Sequence, residues 1–287
     1  MWTKTLLPIL WLGKVFSMLT VNHFGHGVMS FDGLISAPSE EIAELVSAIT
    51  TDILPQGFYR DEEGRILNHG GYLHDTEGNI EMSPLRFTNC VYEGISAKNI
   101  ETTRSIERAV YQAVVNYCRY FPSAVPSIRW KTRGYLIKYG VGQYMGPHSD
   151  SAIPYMQDKY TPINQQPLCN TLTCTVVLND EFTGGETAFR PWGLVVPSKF
   201  CRILVFPANF TGCHEVLPVL SGERYAYLSW YCHGDIDKSS PKFSGDLNFD
   251  DRIISDACYL DIDEFENATN NKHSQEFVPV GELPQEE

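Results

Sequence analysis

Two histidines and one aspartate stand at positions that let them meet. The first pair lies in Tyr139-Gly-Val-Gly-Gln-Tyr144-Met-Gly-Pro-His148-Ser149-Asp150. On an extended strand, residues i and i+2 share a face, so His148 and Asp150 can converge on one ion. The second histidine lies in Cys213-His214-Glu215-Val216, just after the β-rich run Arg202–Phe206. Two imidazoles and one carboxylate form the facial ligand set that holds iron(II) and leaves coordination positions open. Either histidine alone reads more readily as an ordinary surface or core residue, and an isolated H-x-D pair recurs by chance.

The neighbouring blocks narrow the choice. His214-Glu-Val-Leu-Pro-Val-Leu-Ser-Gly-Glu-Arg224-Tyr225 places an arginine ten residues after the second histidine. A turn at Ser221-Gly222 returns the chain into a strand that carries Arg224. A guanidinium inside a β-barrel matches both oxygens of a carboxylate, and burying it without an anion would be costly. Thr171–Leu178, the Asn179-Asp180 turn and Gly184-Gly185-Glu186-Thr187-Ala188-Phe189 supply a strand, a tight turn and a returning strand.

Several elements must position these residues. Ile42, Leu45, Val46 and Ile49 follow Ser39-Glu40-Glu41 at helical spacing, with acids in the first turn. A longer helix is predicted over 99–121, with Ile106, Ala109, Val110, Ala113, Val114, Tyr117 and Phe121 on one face. From Ile128 onward come short β-rich runs at Gly134–Tyr139, Thr171–Leu178, Ala188–Phe189, Arg202–Phe206 and Arg224–Tyr231. Short strands at this spacing predict a sandwich or jelly roll, with the helices packed on one sheet. Trp230 reads as a core residue.

Length and charge bound the rest. The chain has 287 residues, 22 Lys and Arg, and 35 Asp and Glu, for a net charge of −13. One large domain fits that length. Residues 235–287 carry 14 acids and 4 bases, or −10, which leaves only −3 on 1–234. No basic stripe is present, so the chain is not expected to bind nucleic acid. The eight cysteines form no CxxC pair and sit in apolar stretches, which suits reduced thiols in the cytoplasm. Leu6–Leu12 is apolar, but Lys14 cuts the run short, so a packed N-terminal strand is expected rather than a signal peptide. No run reaches the length of a membrane span, and no membrane partner is expected.

Taken together, His148-x-Asp150, Leu178-Asn179-Asp180, Gly184-Gly-Glu-Thr-Ala-Phe189, His214-Glu-Val-Leu-Pro-Val219 and Gly222-Glu-Arg-Tyr225 resemble the prolyl 4-hydroxylase branch of the 2-oxoglutarate- and iron(II)-dependent dioxygenases. The resemblance runs from about Arg133 to Trp230, with the blocks in the family's order. It implies a mainly β fold with supporting helices around a double-stranded β-helix (jelly-roll, cupin-like) core. It implies iron(II) on His148, Asp150 and His214, with 2-oxoglutarate and O2 as cosubstrates and ascorbate as a supporting reductant. Arg224 would pair with the far carboxylate of 2-oxoglutarate, and Tyr139 and Thr187 would contact it. Family members often carry a tyrosine where Val177 stands, so Thr187 or Thr173 is expected to replace that contact. The implied reaction hydroxylates an unactivated C–H bond, with succinate and CO2 as coproducts. Halogenating relatives lack the aspartate, so Asp150 favours hydroxylation.

Three segments are expected: 1–127 with N-terminal strands and supporting helices, 128–234 as the catalytic core, and 235–287 as an acidic extension. The extension's apolar residues should dock in part, and its end should be disordered. The long loop 151–167 is a lid or an ordinary connector, with Tyr155 and Tyr160 as candidates at the entrance. Residues 56–81 are a second lid candidate. Arg190 and Trp192 are candidates for holding a substrate carboxylate and packing on it, or else structural residues. The expected substrate is an amino acid, a peptide or an amino-acid-derived natural product. The alternatives are a protein-modifying, prolyl-4-hydroxylase-type regulatory enzyme and a non-catalytic jelly-roll metal-binding protein.

Overall fold

A computed structural model describes residues 3–5, 19–52, 58–60, 66–68, 85–87, 97–151, 169–234, 248–255 and 257–270. Tyr155, Tyr160, Leu6–Leu12 and most of both lid candidates lie outside the described residues. The chain opens with strands β1 (Thr3–Thr5), β2 (Thr20–Gly25) and β3 (Val28–Asp32), then helix α1 (Ser39–Asp52). Short strands β4 (Phe58–Arg60), β5 (Ile66–Asn68) and β6 (Leu85–Phe87) precede the long helix α2 (Ala97–Tyr120). The central run is β7 (Trp130–Thr132), β8 (Tyr135–Tyr139), β9 (Met145–His148), β10 (Cys169–Val177), β11 (Phe182–Gly184) and β12 (Thr187–Phe189). It continues through β13 (Leu194–Val196), β14 (Ile203–Pro207), β15 (His214–Val216), β16 (Val219–Gly222) and β17 (Arg224–His233). The acidic extension contributes α3 (Phe249–Arg252), β18 (Ala257–Tyr259) and α4 (Ile262–Thr269).

The major sheet has the order β1-β2-β3-β14-β10-β17-β7-β18, with β8 also on β17 and β6 on β8. The minor sheet has the order β13-β12-β15-β9, and the pairings are antiparallel. Together they make the expected mainly β jelly roll with supporting helices. Alternation along single strands builds both sides of the major sheet. On β10, Leu172, Cys174 and Val176 enter the core beneath the helices, whereas Thr175 faces the other way into the cavity between the sheets. On β14, Ile203 and Val205 meet the helices, while Leu204 and Phe206 pack against Phe189 and Val196 of the minor sheet. On β17, Tyr227 and Tyr231 go to the helices, and Arg224, Ala226, Leu228 and Trp230 go to the cavity.

The helical layer follows its sequence pattern. Ile106, Ala109, Val110, Ala113, Val114 and Tyr117 of α2 are buried with Ile42 and Leu45 of α1, and Phe121 packs at the edge. Each fully buried aliphatic side chain contributes roughly 1.5–3 kcal/mol, so this stripe fixes the helix on the sheet. The extension joins the same core. β18 pairs with β7, and Cys258, Leu260 and Phe265 are buried in the helical layer. Arg104 and Arg108 of α2 reach Asp251 and Asp250, so acids of the extension meet bases of the helix. Among the described residues no helix is long and apolar enough to cross a membrane.

Candidate active site

The cavity between the sheets is about 110 Å³ and is lined by His148, Asp150, His214, Tyr139, Thr187 and Arg224, among others. Strand pairing brings the two histidines together: β9 and β15 run antiparallel with His148 opposite His214. Their ring centroids lie 4.4 Å apart. The register shifts between His214 and Val216, so β9 bulges near Gly146 and Pro147. A proline has no N–H to give the ladder, and a bulge is where it fits. Asp150 follows two residues after His148, and ligand atoms of His148, Asp150 and His214 all lie within 4.8 Å of one another.

Both imidazoles are held by the same device. His148 Nδ1 lies 2.7 Å from the Gly146 carbonyl oxygen, and His214 Nδ1 lies 3.0 Å from that of Gly212. A carbonyl oxygen only accepts, so each Nδ1 carries the proton and donates it. Nε2 is left with its lone pair and points at Asp150, at 3.3 Å for His148 and 4.0 Å for His214. Such partners set the tautomer and orientation of a metal-binding histidine. Burial lowers the pKa of His214, with His148 adding to that effect while Asp150 and the Gly212 contact oppose it. The ring is therefore neutral at pH 7, as a ligand must be.

Asp150 is anchored from the major sheet. Thr173 Oγ1 donates to its Oδ2 at 2.6 Å, Trp230 Nε1 donates to the same oxygen at 3.1 Å, and Asn170 Nδ2 donates to its backbone carbonyl at 2.8 Å. Thr173 and Trp230 face each other across the β10–β17 ladder. Burial alone would raise the Asp150 pKa. The Thr173 and Trp230 donors, together with the His148 and His214 imidazoles whenever these are protonated, outweigh it and bring the carboxyl down to about 2.

Arg224 enters from the start of β17, opposite Tyr139 of β8. It is only 2% exposed, and its guanidinium stands 5.0 Å from the centroid of the Tyr139 ring. Its Nε has no hydrogen-bond partner, and no carboxylate of the described residues pairs with it. Burial pushes its pKa down, opposed by Tyr139 and Glu186. Gly185 clears its path: φ is +68°, and a Cβ there would stand 2.6 Å from Arg224 Cδ. Thr187 is 5% exposed on the facing strand β12.

Two candidates have other partners. The Arg190 side chain is 70% exposed, and its Nε and Nη2 both engage Glu215, Nη2 at 2.9 Å from Oε2. Trp192 stacks on His26 at 3.9 Å and donates from Nε1 to the Thr211 carbonyl at 2.8 Å. Neither lines the cavity. Three residues carry more than the sequence assigned them. Trp230, a core residue by composition, holds Asp150. Thr173, expected near the cosubstrate, also holds Asp150. Thr175 lines the cavity one step further along the same face, and the alternation Thr171, Thr173, Thr175 was the available signal.

Comparison with known proteins agrees with this geometry. Residues 134–232 match the family model of the 2OG-Fe(II) oxygenase superfamily. That segment holds both histidines, Asp150 and Arg224. No curated protein matches the chain at a significant level. Among solved structures, it is similar to a viral collagen prolyl hydroxylase from Paramecium bursaria Chlorella virus-1, determined with 2OG, at 17% identity and a TM-score of 0.44. That alignment covers 72% of this chain and 96% of the other. A Trichoplax adhaerens prolyl hydroxylase, solved with a peptide fragment of hypoxia inducible factor, aligns at 15% identity and a TM-score of 0.46 over 72% of this chain and 84% of its own. A 2OG-Fe(II) oxygenase family oxidoreductase from Burkholderia pseudomallei aligns at 13% and 0.45 over 75% and 89%.

Proposed function

We propose that the protein is an iron(II)- and 2-oxoglutarate-dependent hydroxylase of an unactivated C–H bond in an amino acid, a peptide or an amino-acid-derived natural product. The observation that carries this reading is the sharing of one small cavity by three convergent ligand atoms and a buried guanidinium that lacks an anion. His148, Asp150 and His214 fit iron(II): two neutral imidazoles and one ionised carboxylate converge from one side and leave the other side free. Arg224 fits the far carboxylate of a short dicarboxylate, with Tyr139 and Thr187 beside it.

Bound iron supplies activation of O2 coupled to decarboxylation of 2-oxoglutarate to succinate and CO2. The chain's own residues do the rest. The Gly146 and Gly212 carbonyls aim the two Nε2 atoms. Thr173 and Trp230 keep Asp150 ionised and fixed. Arg224 orients the cosubstrate, and Tyr135, Ile137, Met145, Leu228 and Trp230 exclude water from the cavity. Asp150 leaves no vacant ligand place for a halide, which supports hydroxylation. The described cysteines are free thiols, which supports a reducing compartment such as the cytoplasm.

The test is a screen of amino acids and proline-containing peptides with iron(II), 2-oxoglutarate and ascorbate, read by mass spectrometry for one added oxygen and by succinate release. Substrate-dependent succinate is expected from the wild type and none from His148→Ala. Equal turnover by that variant would refute the ligand assignment.

A further inference from the structure

The strand that carries His214 has an incomplete backbone ladder on one side. β12 pairs with β15 only through Thr187–Val216 and Ala188–Glu215, one residue short of His214. On the other side His214 itself is paired with His148. Where the β12 ladder stops, the chain turns through the 3-10 turn Arg190–Trp192. Side chains of that turn then take hold of residues on both sides of His214. Arg190 closes a two-pronged ion pair on Glu215, the residue after His214, whose carboxylate is buried. Trp192 donates to the Thr211 carbonyl, in the short turn Phe210–Gly212 that leads into β15. The next carbonyl along the chain is that of Gly212, which accepts the hydrogen bond from His214 Nδ1.

Trp192 is itself fixed. His26 stacks on it at an interplanar angle of 6°. His26 sits at φ 52° in the β2–β3 turn, between Gly25 at 89° and Gly27 at 76°. Tyr117 of α2 donates to the Gly27 carbonyl at 2.9 Å, which ties that turn to the helical layer. An off-cavity chain of contacts therefore runs from α2 through His26 and Trp192 to the backbone that aims His214.

We propose that Arg190 and Trp192 are positioning residues for the His214 imidazole. Neither side chain reaches the cavity. They lock the backbone on either side of His214, and so fix the carbonyl that sets its tautomer and the direction of Nε2. The inference rests on His214 being an iron ligand, as proposed above. It assigns Arg190 and Trp192 to the metal centre rather than to a substrate carboxylate. Arg190's exposure is consistent with this, since its fork is spent on a buried acid rather than on a ligand.

The experiment titrates Co(II) alone into metal-free full-length chain, with affinity and the Co(II) d–d absorption as readouts. Trp192→Phe keeps an aromatic ring against His26 and removes the N–H. Arg190→Lys keeps the charge and removes the two-pronged fork. The double variant is expected to bind Co(II) on the order of 10-fold more weakly, as removal of outer contacts to a metal ligand typically does. Its d–d bands should shift, because His214 meets the ion at a different angle. Phe210→Ala, an 80% exposed residue in the turn that Trp192 contacts, should match the wild type. Denaturant midpoints of the metal-free proteins separate the two roles. A lowered midpoint with unchanged Co(II) affinity and spectrum would reduce the turn to scaffolding and overturn the proposal. Failure of the wild type to bind Co(II) would instead remove the metal site, and the inference with it. Weakened Co(II) binding in the double variant with wild-type binding in Phe210→Ala is the supporting result.

Discussion

Replacing Arg224 by Met should have opposite effects on cosubstrate binding and on the fold. The guanidinium is 2% exposed, its Nε has no partner, and no carboxylate of the described residues pairs with it. In the protein alone, the buried charge is therefore a cost offset by the Tyr139 ring and the more distant charge of Glu186. Methionine fills much of the same volume without a charge, so the metal-free variant should be at least as stable as the wild type in urea. Truncating one partner of a buried charge pair typically costs about 2–5 kcal/mol. At about 1.4 kcal/mol per decade, that is roughly a 30-fold to several-thousand-fold loss of 2-oxoglutarate affinity. Calorimetric titration of 2-oxoglutarate into Mn(II)-loaded protein reads the affinity, and urea unfolding of the metal-free protein reads the stability. Wild-type affinity in Arg224→Met would refute the pairing. A loss of several kcal/mol of metal-free stability, on the order of a broken buried ion pair, would show that Arg224 already has a structural partner.

Gly185→Ala should reach the same site from the other side. The new Cβ would stand 2.6 Å from Arg224 Cδ at a φ of +68°, so the apparent KM for 2-oxoglutarate should rise while Co(II) affinity stays near wild type. Lys131→Met should cost about 3–5 kcal/mol in urea unfolding, because it strands the fully buried Glu107, and adding Glu107→Leu should recover much of that loss. Burial tends to raise the Asp32 pKa, but Arg202 and Lys199 outweigh it and hold the carboxyl below its usual value. The unfolded state then binds the proton more readily, so this contribution is present above the unfolded pKa and is lost as pH falls through the folded one. Asp32→Asn should flatten the fall in urea midpoint on acidification towards pH 3, and an unchanged slope would count against the pairing.

The meeting of His148 and Asp150 was legible because strand geometry makes it local, whereas His214 joins them only through the β9–β15 pairing. His148 and Asp150 share a face two residues apart, and the glycine-rich turns and β-rich runs around them mark where strands begin and end. The strands predicted at Gly134–Tyr139, Thr171–Leu178 and Arg224–Tyr231 appear as Tyr135–Tyr139, Cys169–Val177 and Arg224–His233. The roles of Thr173 and Trp230 were less legible. They depend on which residue of β10 faces which residue of β17, and that register is fixed across a separation of dozens of residues. Arg190 and Trp192 show the same limit. Their position after Gly-Gly-Glu-Thr-Ala-Phe places them near the site in sequence, but only the end of the β12–β15 ladder decides that they turn away from the cavity.

The two buried cations of the major sheet make the distinction between structure and function concrete. Lys131 is 0% exposed, yet its ammonium has a full set of acceptors: the Glu107 carboxylate, and the Thr132 and Ile253 carbonyls, each at 3.0 Å. Tyr227 completes the arrangement by donating to Glu107 at 2.6 Å. Burial alone raises the Glu107 pKa, and the Lys131 and Tyr227 contacts act against it. That cluster pairs its buried cation with a carboxylate of the chain, leaving Glu107 Oε2 without a hydrogen-bond partner, and it joins α2, β7, β17 and the acidic extension. Arg224 is buried to a similar degree on the opposite face of the same sheet, with an aromatic ring for a neighbour and an idle Nε. Desolvation penalises both cations, and among the described residues only Lys131 has a carboxylate bonded to it. Arg224 lies in the cavity with the three ligand atoms, which supports the proposal that one molecule, a carboxylate that also chelates, would meet both.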